Sequence, residues 1–267
     1  MNIKSSEPVI FIKTRKIDLE RRLDKVEEEK VAVEAPIQLF LNRKHLTTIM
    51  ASPSNLGDLA LGFLVGEGIL TSHKDILDMR IANNEIWVES KEVNQERFRS
   101  IGGGGVIVTS CSSRADFYTV IGQLEKKPLA KNYRVKAADI FEMVRESTGK
   151  SAIFRSTGGV HSASIYVDSV LIGFAEDVGR HNAVDRAIGI CLGKDVPLER
   201  AILVTSGRQT ADIIMKAARC RVPMSVSMRA PLSSGIHAAQ LTGVTLVSFV
   251  RGSRMNVYSH PERIDPL

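Results

Sequence analysis

The residue best suited to covalent chemistry is Cys111, which lies in the polar turn SCSSR at positions 110–114. A glycine run, Gly102–Gly105, and a predicted strand from Val106 to Thr109 precede this turn. The thiolate is the reactive form of cysteine, and a nearby cation lowers the pKa of the thiol. Arg114 is close enough in sequence to do this and to stabilise a thiolate or a persulfide. Cys111 is therefore a candidate nucleophile, although a free cysteine in a loop does not establish that role alone.

The other two cysteines fall on apolar faces of predicted helices. Cys191 shares its face with Val184 and Ile188, and Cys220 closes a stripe that begins at Ile213. A cysteine in such a position is usually a small core residue. Three widely separated cysteines form no disulfide framework, so the chain suits a reducing compartment.

Three short segments place cationic side chains and glycine at the ends of predicted strands. They are Asp177-Val178-Gly179-Arg180-His181-Asn182, Ser206-Gly207-Arg208 and Arg251-Gly252-Ser253-Arg254. Helix N-termini and guanidinium groups both suit phosphate oxygens. Each segment alone could be a structural turn with a solvated cation, but the three together favour a nucleotide pocket. His161 is expected near His181, and two histidines without a thiolate or acid in a ligand-like spacing favour hydrogen bonding over zinc.

In the N-terminal part of the chain, the sequence predicts strands and a helix that form a small α/β unit. The residues before Val31 are dense in charge and fit a solvated helix, a hairpin or a partly ordered arm. From Val31 to Met50 the alternation of apolar and polar residues predicts a strand hairpin. Ser54 is expected to cap the next helix, which ends near Gly66, and a further strand passes through Ile86 to Val88.

Strands and helices alternate after the linker-like segment Lys126–Asn132. Helices are predicted from Lys136 to Ser147, from Asn182, from Gln209 to Cys220 and from Ser234 to Leu241, with strands at Ser162–Phe174 (a hairpin), Ala201–Thr205, Pro223–Met228 and Val244–Val250. This order predicts a mixed or parallel sheet covered on both faces. We expect an α/β protein with two domains, residues 1–130 carrying the cysteine loop and residues 131–267 carrying the pocket.

Composition limits the classes of partner. The chain has 267 residues, 43% of them hydrophobic, which is ordinary globular composition. No apolar run approaches a membrane span, and the N-terminus does not read as a signal peptide, so we expect a cytoplasmic protein without a membrane partner. The net charge of +6 is dispersed and only 5% of residues are aromatic, which favours a small anionic ligand over nucleic acid.

Taken together, these segments resemble the formate dehydrogenase accessory protein family of sulfur carriers. The resemblance rests on TSCSS, STGGVHSASIYV, EDVGRHNAVDRAIG, LVTSGRQTADIIMKAA and SMRAPLSSGIHAAQLTGVTLVSFVRGSRMNVYSHPERI, together with the stretch from Glu34 to Leu70. It covers about Val31 to Ile264.

The resemblance implies a function and a set of site residues. It implies that a cysteine desulfurase passes sulfur to Cys111 as a persulfide, and that the sulfur goes to molybdenum bis(molybdopterin guanine dinucleotide) before this cofactor enters formate dehydrogenase. It assigns cofactor binding to Phe249, Val250, Arg251, Gly252, Ser253 and Arg254, beside Arg180, His181, Ser206, Gly207 and Arg208 from the residue analysis. It also implies a cytidine-deaminase-like α/β/α second domain. In a zinc deaminase the metal ligands lie at two helix starts. The corresponding positions here are Arg180-His181-Asn182 and Ser206-Gly207-Arg208, which lack thiolates. The resemblance therefore implies a nucleotide pocket without zinc.

The cysteine loop departs from the pattern of this family, and other functions stay open. Family members commonly carry C-x-x-C, whereas Ser112, Ser113 and Arg114 follow Cys111, so any sulfur transfer uses one thiol. The main alternative is a non-catalytic chaperone that escorts the guanine-dinucleotide cofactor. A deaminase-like hydrolase is a third interpretation, but the sequence lacks the set of zinc ligands that such an enzyme needs. A homodimer is expected because two-fold dimers are the commonest assembly.

Overall fold

The computed structural model describes residues 7–101, 106–107, 129 and 133–266, with residues 106–107 described by their backbone. The α-helices are α1 (Leu56–Gly66), α2 (Gln95–Ile101), α3 (Ala137–Lys150), α4 (Ala152–Thr157), α5 (Arg180–Gly193), α6 (Ala211–Arg219) and α7 (Ser233–Thr242). The strands are β1 (Val9–Asp18), β2 (Leu23–Ala32), β3 (Ala35–Leu41), β4 (Lys44–Ala51), β5 (Ile76–Ala82), β6 (Glu85–Ser90), β7 (Val106–Ile107), β8 (Val135–Lys136), β9 (His161–Val167), β10 (Val170–Asp177), β11 (Ala201–Thr205), β12 (Met224–Ser227), β13 (Thr245–Arg251), β14 (Arg254–Ser259) and β15 (Ile264–Asp265). The Cys111 and Arg114 predictions lie outside the described residues.

The C-terminal half contains a mixed six-stranded sheet in the order β10-β9-β11-β12-β13-β14. Strands β11, β12 and β13 run parallel, and antiparallel strands flank them on both sides. Along β11, Ala201 and Leu203 enter one buried cluster while Ile202 and Val204 enter another. Because side chains alternate between the faces of a strand, both faces of the sheet are covered. The prediction of an α/β fold with a mixed sheet covered on both faces is confirmed.

The N-terminal half contains a five-stranded sheet in the order β5-β6-β3-β4-β7. Strands β3 and β4 form the predicted hairpin, and one face of the sheet packs on α1 through a buried stripe of Leu59, Ala60, Phe63 and Leu64. The charged residues before it form an antiparallel ribbon of β1 and β2, which settles the three readings of that segment in favour of a hairpin.

The start of α1 differs from the sequence prediction. Asn55, in the left-handed region at φ 45°, is the N-cap, and no side chain caps the helix, so the prediction that Ser54 caps it is wrong. The carbonyls of Ser54 and Asn55 instead accept hydrogen bonds from the Arg186 guanidinium. A long-range contact from α5 therefore fixes this turn, which local sequence does not reveal.

Helices α1 and α5 join the two halves, and they pack so closely that their backbones touch where they cross. A Cβ atom on Gly62 would lie 1.7 Å from the Asp185 carbonyl oxygen, and one on Gly189 would lie 1.9 Å from the Asp58 carbonyl oxygen. One buried cluster accordingly contains residues of both halves, such as Leu39 and Leu203. The domain boundary predicted near residue 130 stays a prediction.

In the part of the chain that the structure describes, no helix is long and apolar enough to cross a membrane.

Candidate functional site

A cavity lies at the carboxyl ends of β11, β12 and β13, where open α/β sheets bind ligands. Its volume is about 780 Å³. Ser206 comes directly after β11, Arg229 shortly after β12, and Arg251 ends β13. The apolar part of the lining is Val144, Phe154, Val160, Val178, Met228 and Val250. The cavity therefore combines an aromatic and aliphatic wall with two guanidinium groups, which suits an aromatic ligand that carries negative charge.

His161, at the start of β9, is held against this cavity by Ser206. The Ser206 hydroxyl oxygen accepts a hydrogen bond from the Ser162 backbone N–H at 2.9 Å and lies 3.3 Å from His161 Nδ1. Burial lowers the pKa of His161, and the cations of Arg180 and Arg229 lower it further. The imidazole is therefore neutral at physiological pH and can act as a hydrogen-bond donor or acceptor without carrying charge.

A smaller cavity of about 280 Å³ lies between β4 and the start of α5. Met50, Arg180 and His181 line it, and His161 and Val178 line both cavities. The expectation that His161 and His181 lie near each other is confirmed. Burial lowers the pKa of His181 to about 3, with contributions from Lys216 and Arg180. His181 Nε2 and Arg180 Nε are buried without a hydrogen-bond partner among the described residues. The nearest recorded charge to His181 Nε2 is the Asp212 carboxylate, at 4.0 Å.

A buried ionic cluster supports the wall of the smaller cavity. Lys216 Nζ lies 2.7 Å from a carboxylate oxygen of Glu67 and 2.7 Å from one of Asp185. Burial lowers the pKa of Lys216, but the two carboxylates more than offset this effect, so the ammonium stays charged. Arg97 donates to the Glu67 carbonyl oxygen at 2.8 Å and to its carboxylate at 3.1 Å. The cluster ties α1 to α5 and α6 beneath the cavity.

Asp177, at the end of β10, has a structural role. Its carboxylate accepts hydrogen bonds from Arg186 Nε at 2.8 Å, from the Gly179 N–H at 2.8 Å and from Asn182 Nδ2 at 2.9 Å. It also accepts one from the Ser52 N–H at 3.2 Å. A carboxylate with this many donors is fully occupied in fixing the turn that presents Arg180 and His181.

The side chain of Arg180 packs against the segment Ser206-Gly207-Arg208. A Cβ on Gly207 would lie 3.0 Å from Arg180 Cβ, so the glycine permits this close approach. Burial and the neighbouring Arg208 both lower the pKa of Arg180. Gly207 is buried and Arg208 is exposed. The structure thus brings two of the three predicted cationic segments together.

The third cationic segment, Arg251-Gly252-Ser253-Arg254, forms the hairpin between β13 and β14, and only part of it faces the larger cavity. Val250 and Arg251 line the larger cavity, while Phe249, Gly252, Ser253 and Arg254 are exposed. Phe249 has φ 56°, a conformation that is uncommon for a residue other than glycine, and the Arg251 guanidinium lies 6.0 Å from its ring centroid. Such local strain is frequent at functional sites.

Sequence reasoning did not select Arg229 or Phe154. Arg229 follows β12 within SMRAP and could have been found by treating that strand end like the other two. Phe154 lies in the short helix α4, and no local signal places its ring at the cavity. The predictions for Cys191 and Cys220 are confirmed, since both are buried, and burial raises the pKa of each thiol to about 12. Among the described residues, no three His, Cys, Asp or Glu side chains form a group that could hold a metal ion.

Comparisons with known proteins agree on one family. A model of the FdhD/NarQ family matches residues 32–265. The sulfur carrier protein FdhD of Sulfolobus acidocaldarius is 38% identical over 244 residues, which cover 89% of this chain and 92% of that protein. The protein of the same name from Methanothermobacter thermautotrophicus is 36% identical over 88% of this chain and 92% of its own length. A crystal structure described as that of a formate dehydrogenase accessory protein from Desulfotalea psychrophila has a TM-score of 0.77 and 28% identity, covering 96% of this chain and 99% of that one.

Proposed function

This chain belongs to the FdhD/NarQ family of sulfur carriers, and from this membership and its two cavities we propose that it carries sulfur on Cys111 to a guanine-dinucleotide molybdenum cofactor. A cysteine desulfurase loads the sulfur, and the larger cavity holds one end of molybdenum bis(molybdopterin guanine dinucleotide), which is the substrate. The sulfurated cofactor then enters formate dehydrogenase.

The observation that carries this proposal is the position of β7 relative to the smaller cavity. Strand β7 pairs in parallel with β4, with Thr48 opposite Val106 and Ile49 opposite Ile107. The next residue of β4, Met50, lines the smaller cavity. Cys111 follows Ile107 by four residues, a span of at most about 14 Å. The two cavities share the lining residues His161 and Val178. We infer that a thiol four residues beyond β7 can reach them.

The larger cavity suits the nucleotide end of the cofactor in size and chemistry. Its volume falls within the usual range for small-molecule sites, roughly 300–1,000 Å³. Phe154 and Met228 offer an apolar surface for a purine, and Arg229 and Arg251 offer charge-assisted hydrogen bonds to phosphate oxygens. Arg180, His181 and Ser206 to Arg208 extend the polar surface toward the smaller cavity. The fold of this half is proposed to be cytidine-deaminase-like, with no zinc, and the protein to be cytoplasmic.

Loading of Cys111 is a thiolate–persulfide exchange. The Cys111 thiolate attacks the outer sulfur of the donor's cysteine persulfide, a new sulfur–sulfur bond forms, and the donor cysteine leaves as a thiolate. No electrons are gained or lost overall. Arg114 favours the thiolate before the attack and the anionic persulfide after it. The reaction needs no resolving cysteine, which is consistent with the single cysteine of the loop.

Mass spectrometry after incubation with a cysteine desulfurase and cysteine tests this function. We expect one added sulfur atom on Cys111, none in Cys111→Ala, and retained loading in Cys191→Ala and Cys220→Ala, whose stability should fall because each leaves a cavity in the core. Equal loss of loading in all three variants would overturn the assignment of Cys111.

A non-catalytic chaperone is the second candidate, because Ser112, Ser113 and Arg114 follow Cys111 where family members commonly carry a second cysteine. In that case the protein binds guanine nucleotides in the larger cavity and Cys111 acquires no sulfur. The same mass spectra, together with calorimetry of GDP binding, separate the two candidates.

A further inference from the structure

The wall that α3 and α4 contribute to the larger cavity carries two hydroxyl groups, those of Thr148 and Ser151. Neither side chain belongs to the cationic segments predicted from the sequence. The two residues are three positions apart at the end of α3, so they lie on the same face, with Cβ atoms ~5–6 Å apart. Phe154 of α4 lies on the same wall. A planar ring can therefore pack on Phe154 and meet the two hydroxyl oxygens with its edge.

Both hydroxyl protons are engaged in bonds to the helix. Thr148 Oγ1 donates to the Val144 carbonyl oxygen at 2.8 Å, and Ser151 Oγ donates to the Ser147 carbonyl oxygen at 3.1 Å. Met228 Sδ lies 3.5 Å from Thr148 Oγ1, but a thioether is only a weak acceptor. A hydroxyl has one proton and two lone pairs. Both oxygens therefore present lone pairs to the cavity, and each can accept a hydrogen bond there but not donate one.

Backbone donors on this wall are engaged as well. Four N–H groups donate within the protein, those of Ser151, Phe154, Gly158 and Gly159. The Phe154 N–H, for example, donates to the Glu176 carboxylate at 2.8 Å. The guanidinium donors of the cavity, Arg229 and Arg251, come from the strand ends instead. The cavity is thus divided into a wall of hydrogen-bond acceptors and a cationic end.

A wall of acceptors discriminates between purines. The pairing edge of guanine carries two adjacent donors, the N1–H and the 2-amino group. The pairing edge of adenine carries one amino donor beside the N1 acceptor, so adenine N1 would face a lone pair of the wall. A site built to hydrogen-bond a particular group rejects an analogue that lacks it, because a buried polar group is then left unpaired. The two hydroxyls therefore favour guanine.

We propose that Thr148 and Ser151 form the base-recognition subsite of the larger cavity. Their hydroxyl oxygens accept hydrogen bonds from the N1–H and the 2-amino group of guanine, while the face of the base packs on Phe154. The phosphates then extend toward Arg229 and Arg251. The subsite rests on the proposed function, because it takes a guanine nucleotide as the ligand of this cavity.

Calorimetry of the full chain with GDP and ADP tests the subsite. Thr148→Val and Ser151→Ala each remove one acceptor. Each should weaken GDP binding about three- to ten-fold, which is the usual effect of one neutral hydrogen bond, and should leave ADP binding unchanged. The preference for GDP over ADP should therefore fall by the same factor.

IDP identifies which oxygen receives which donor, because it lacks the 2-amino group and keeps the N1–H. The wild type should bind IDP about three- to ten-fold more weakly than GDP. The variant whose missing oxygen receives the amino group should bind GDP and IDP equally, whereas the other variant should still distinguish them. A change in the shape of the cavity would not produce this pattern.

Ser156→Ala is the matched control. The Ser156 hydroxyl makes the same kind of bond, to the Ile153 carbonyl oxygen at 3.1 Å, but Ser156 lies outside the lining of the cavity. This variant should bind all three nucleotides as the wild type does, and persulfide loading of Cys111 should be unchanged in all three variants.

The outcomes separate the subsite from the proposed function. Selective loss of GDP affinity in both Thr148→Val and Ser151→Ala supports the subsite. Equal weakening of GDP and ADP, or unchanged GDP affinity in either variant of a protein that prefers GDP, overturns the subsite and leaves the proposed function standing. A wild-type chain that binds none of the three nucleotides overturns both the subsite and the nucleotide site of the proposed function.

Discussion

His181 and Arg180 illustrate how the fold creates chemistry that each residue lacks in isolation. Histidine usually titrates near physiological pH, but burial between α5 and the N-terminal sheet holds His181 neutral with its Nε2 unbonded. Arg180 Nε is likewise buried and without a hydrogen-bond partner among the described residues. Unsatisfied buried polar atoms cost stability, so their presence beside a cavity is expected where a ligand or solvent completes the bonding.

The depressed pKa of His181 predicts how stability varies with pH. The unfolded chain takes up a proton at His181 near pH 6.5, whereas the folded chain does so only near pH 3. The stability present above pH 6.5 is therefore lost as the pH falls toward 3, by up to roughly 1.4 kcal/mol per pH unit. Urea unfolding at a series of pH values should show a shallower acid loss in His181→Asn than in the wild type. His237→Gln, at an exposed position, serves as the control, and a slope unchanged in His181→Asn would contradict the prediction.

Arg251 and Arg254 have different surroundings although they lie in one hairpin, and this predicts unequal effects on ligand binding. Arg251 lines the larger cavity and Arg254 does not. Loss of a charge-assisted hydrogen bond weakens binding by about 1.5–3 kcal/mol, or about ten- to a hundred-fold. Calorimetry with GDP should show such a loss in Arg251→Ala and in Arg229→Ala, but a smaller change in Arg254→Ala. Equal losses in Arg251→Ala and Arg254→Ala would place the phosphates outside the cavity, and a lack of preference for GDP over ADP would count against a guanine site.

The charge of Arg114 predicts the reactivity of Cys111. Arg114→Glu replaces an attractive charge with a repulsive one, so the pKa of the thiol should rise and alkylation near pH 7 should slow. Arg114→Lys keeps the charge and should have a milder effect. Alkylation rates measured across pH test this, and an unchanged profile in Arg114→Glu would assign thiolate stabilisation to another group, such as a backbone N–H of the turn.

At the scale of elements, the crossing of α1 and α5 depends on glycine. Alanine at position 62 would press its Cβ against the Asp185 carbonyl, and neither helix backbone can yield locally. Overpacking of this kind costs about 1–3 kcal/mol or more. Gly62→Ala should therefore lower the free energy of unfolding by at least that amount, as measured by urea denaturation.

Gly149 provides the matched control for this prediction. It lies in the last turns of α3, where an added Cβ would meet nothing within 4 Å. Because alanine favours helix over glycine by about 0.5–1 kcal/mol, Gly149→Ala should be neutral or stabilising. Two Gly→Ala variants with the same effect would show that the helix crossing is not the cause.

The elements themselves were largely predictable, and their long-range partners were not. The run AILVT is apolar up to its final threonine and identified β11 at its observed bounds, because a strand buried on both faces needs no polar alternation. The hairpin of β3 and β4 was predicted from the alternation of apolar and polar residues, and the burial along β3 follows the same alternation. By contrast, the bonds from Arg186 to the turn before α1 join residues more than a hundred positions apart, and no local pattern encodes them. The shared wall of His161 and Val178 between the cavities is invisible in sequence for the same reason.

At the scale of the whole molecule, the site depends on both halves. The smaller cavity takes Met50 and Glu67 from the N-terminal half and His181 and Lys216 from the C-terminal half. Arg186 crosses the same boundary, because its guanidinium donates to the carbonyl of Ser52 at 2.6 Å. The hydrophobic cluster beneath them is likewise shared between the halves.

These shared contacts predict that residues 131–267 alone do not fold cooperatively, although the sequence indicates a boundary near residue 130. Without α1, the face of α5 that carries Val184 and Ile188 would be exposed, and Lys216 would lose Glu67. Removing one partner of a buried ion pair typically costs about 3–5 kcal/mol, a large part of the stability of a domain of this size. The isolated fragment should show weak near-ultraviolet circular dichroism, bind a hydrophobic dye and unfold without a sigmoidal transition. A chain that starts at Val33 lacks the N-terminal ribbon and the residues before it, and should unfold cooperatively like the full protein. A sharp urea transition in the 131–267 fragment would instead show that two independent domains share the site, so that the smaller cavity could open by their separation.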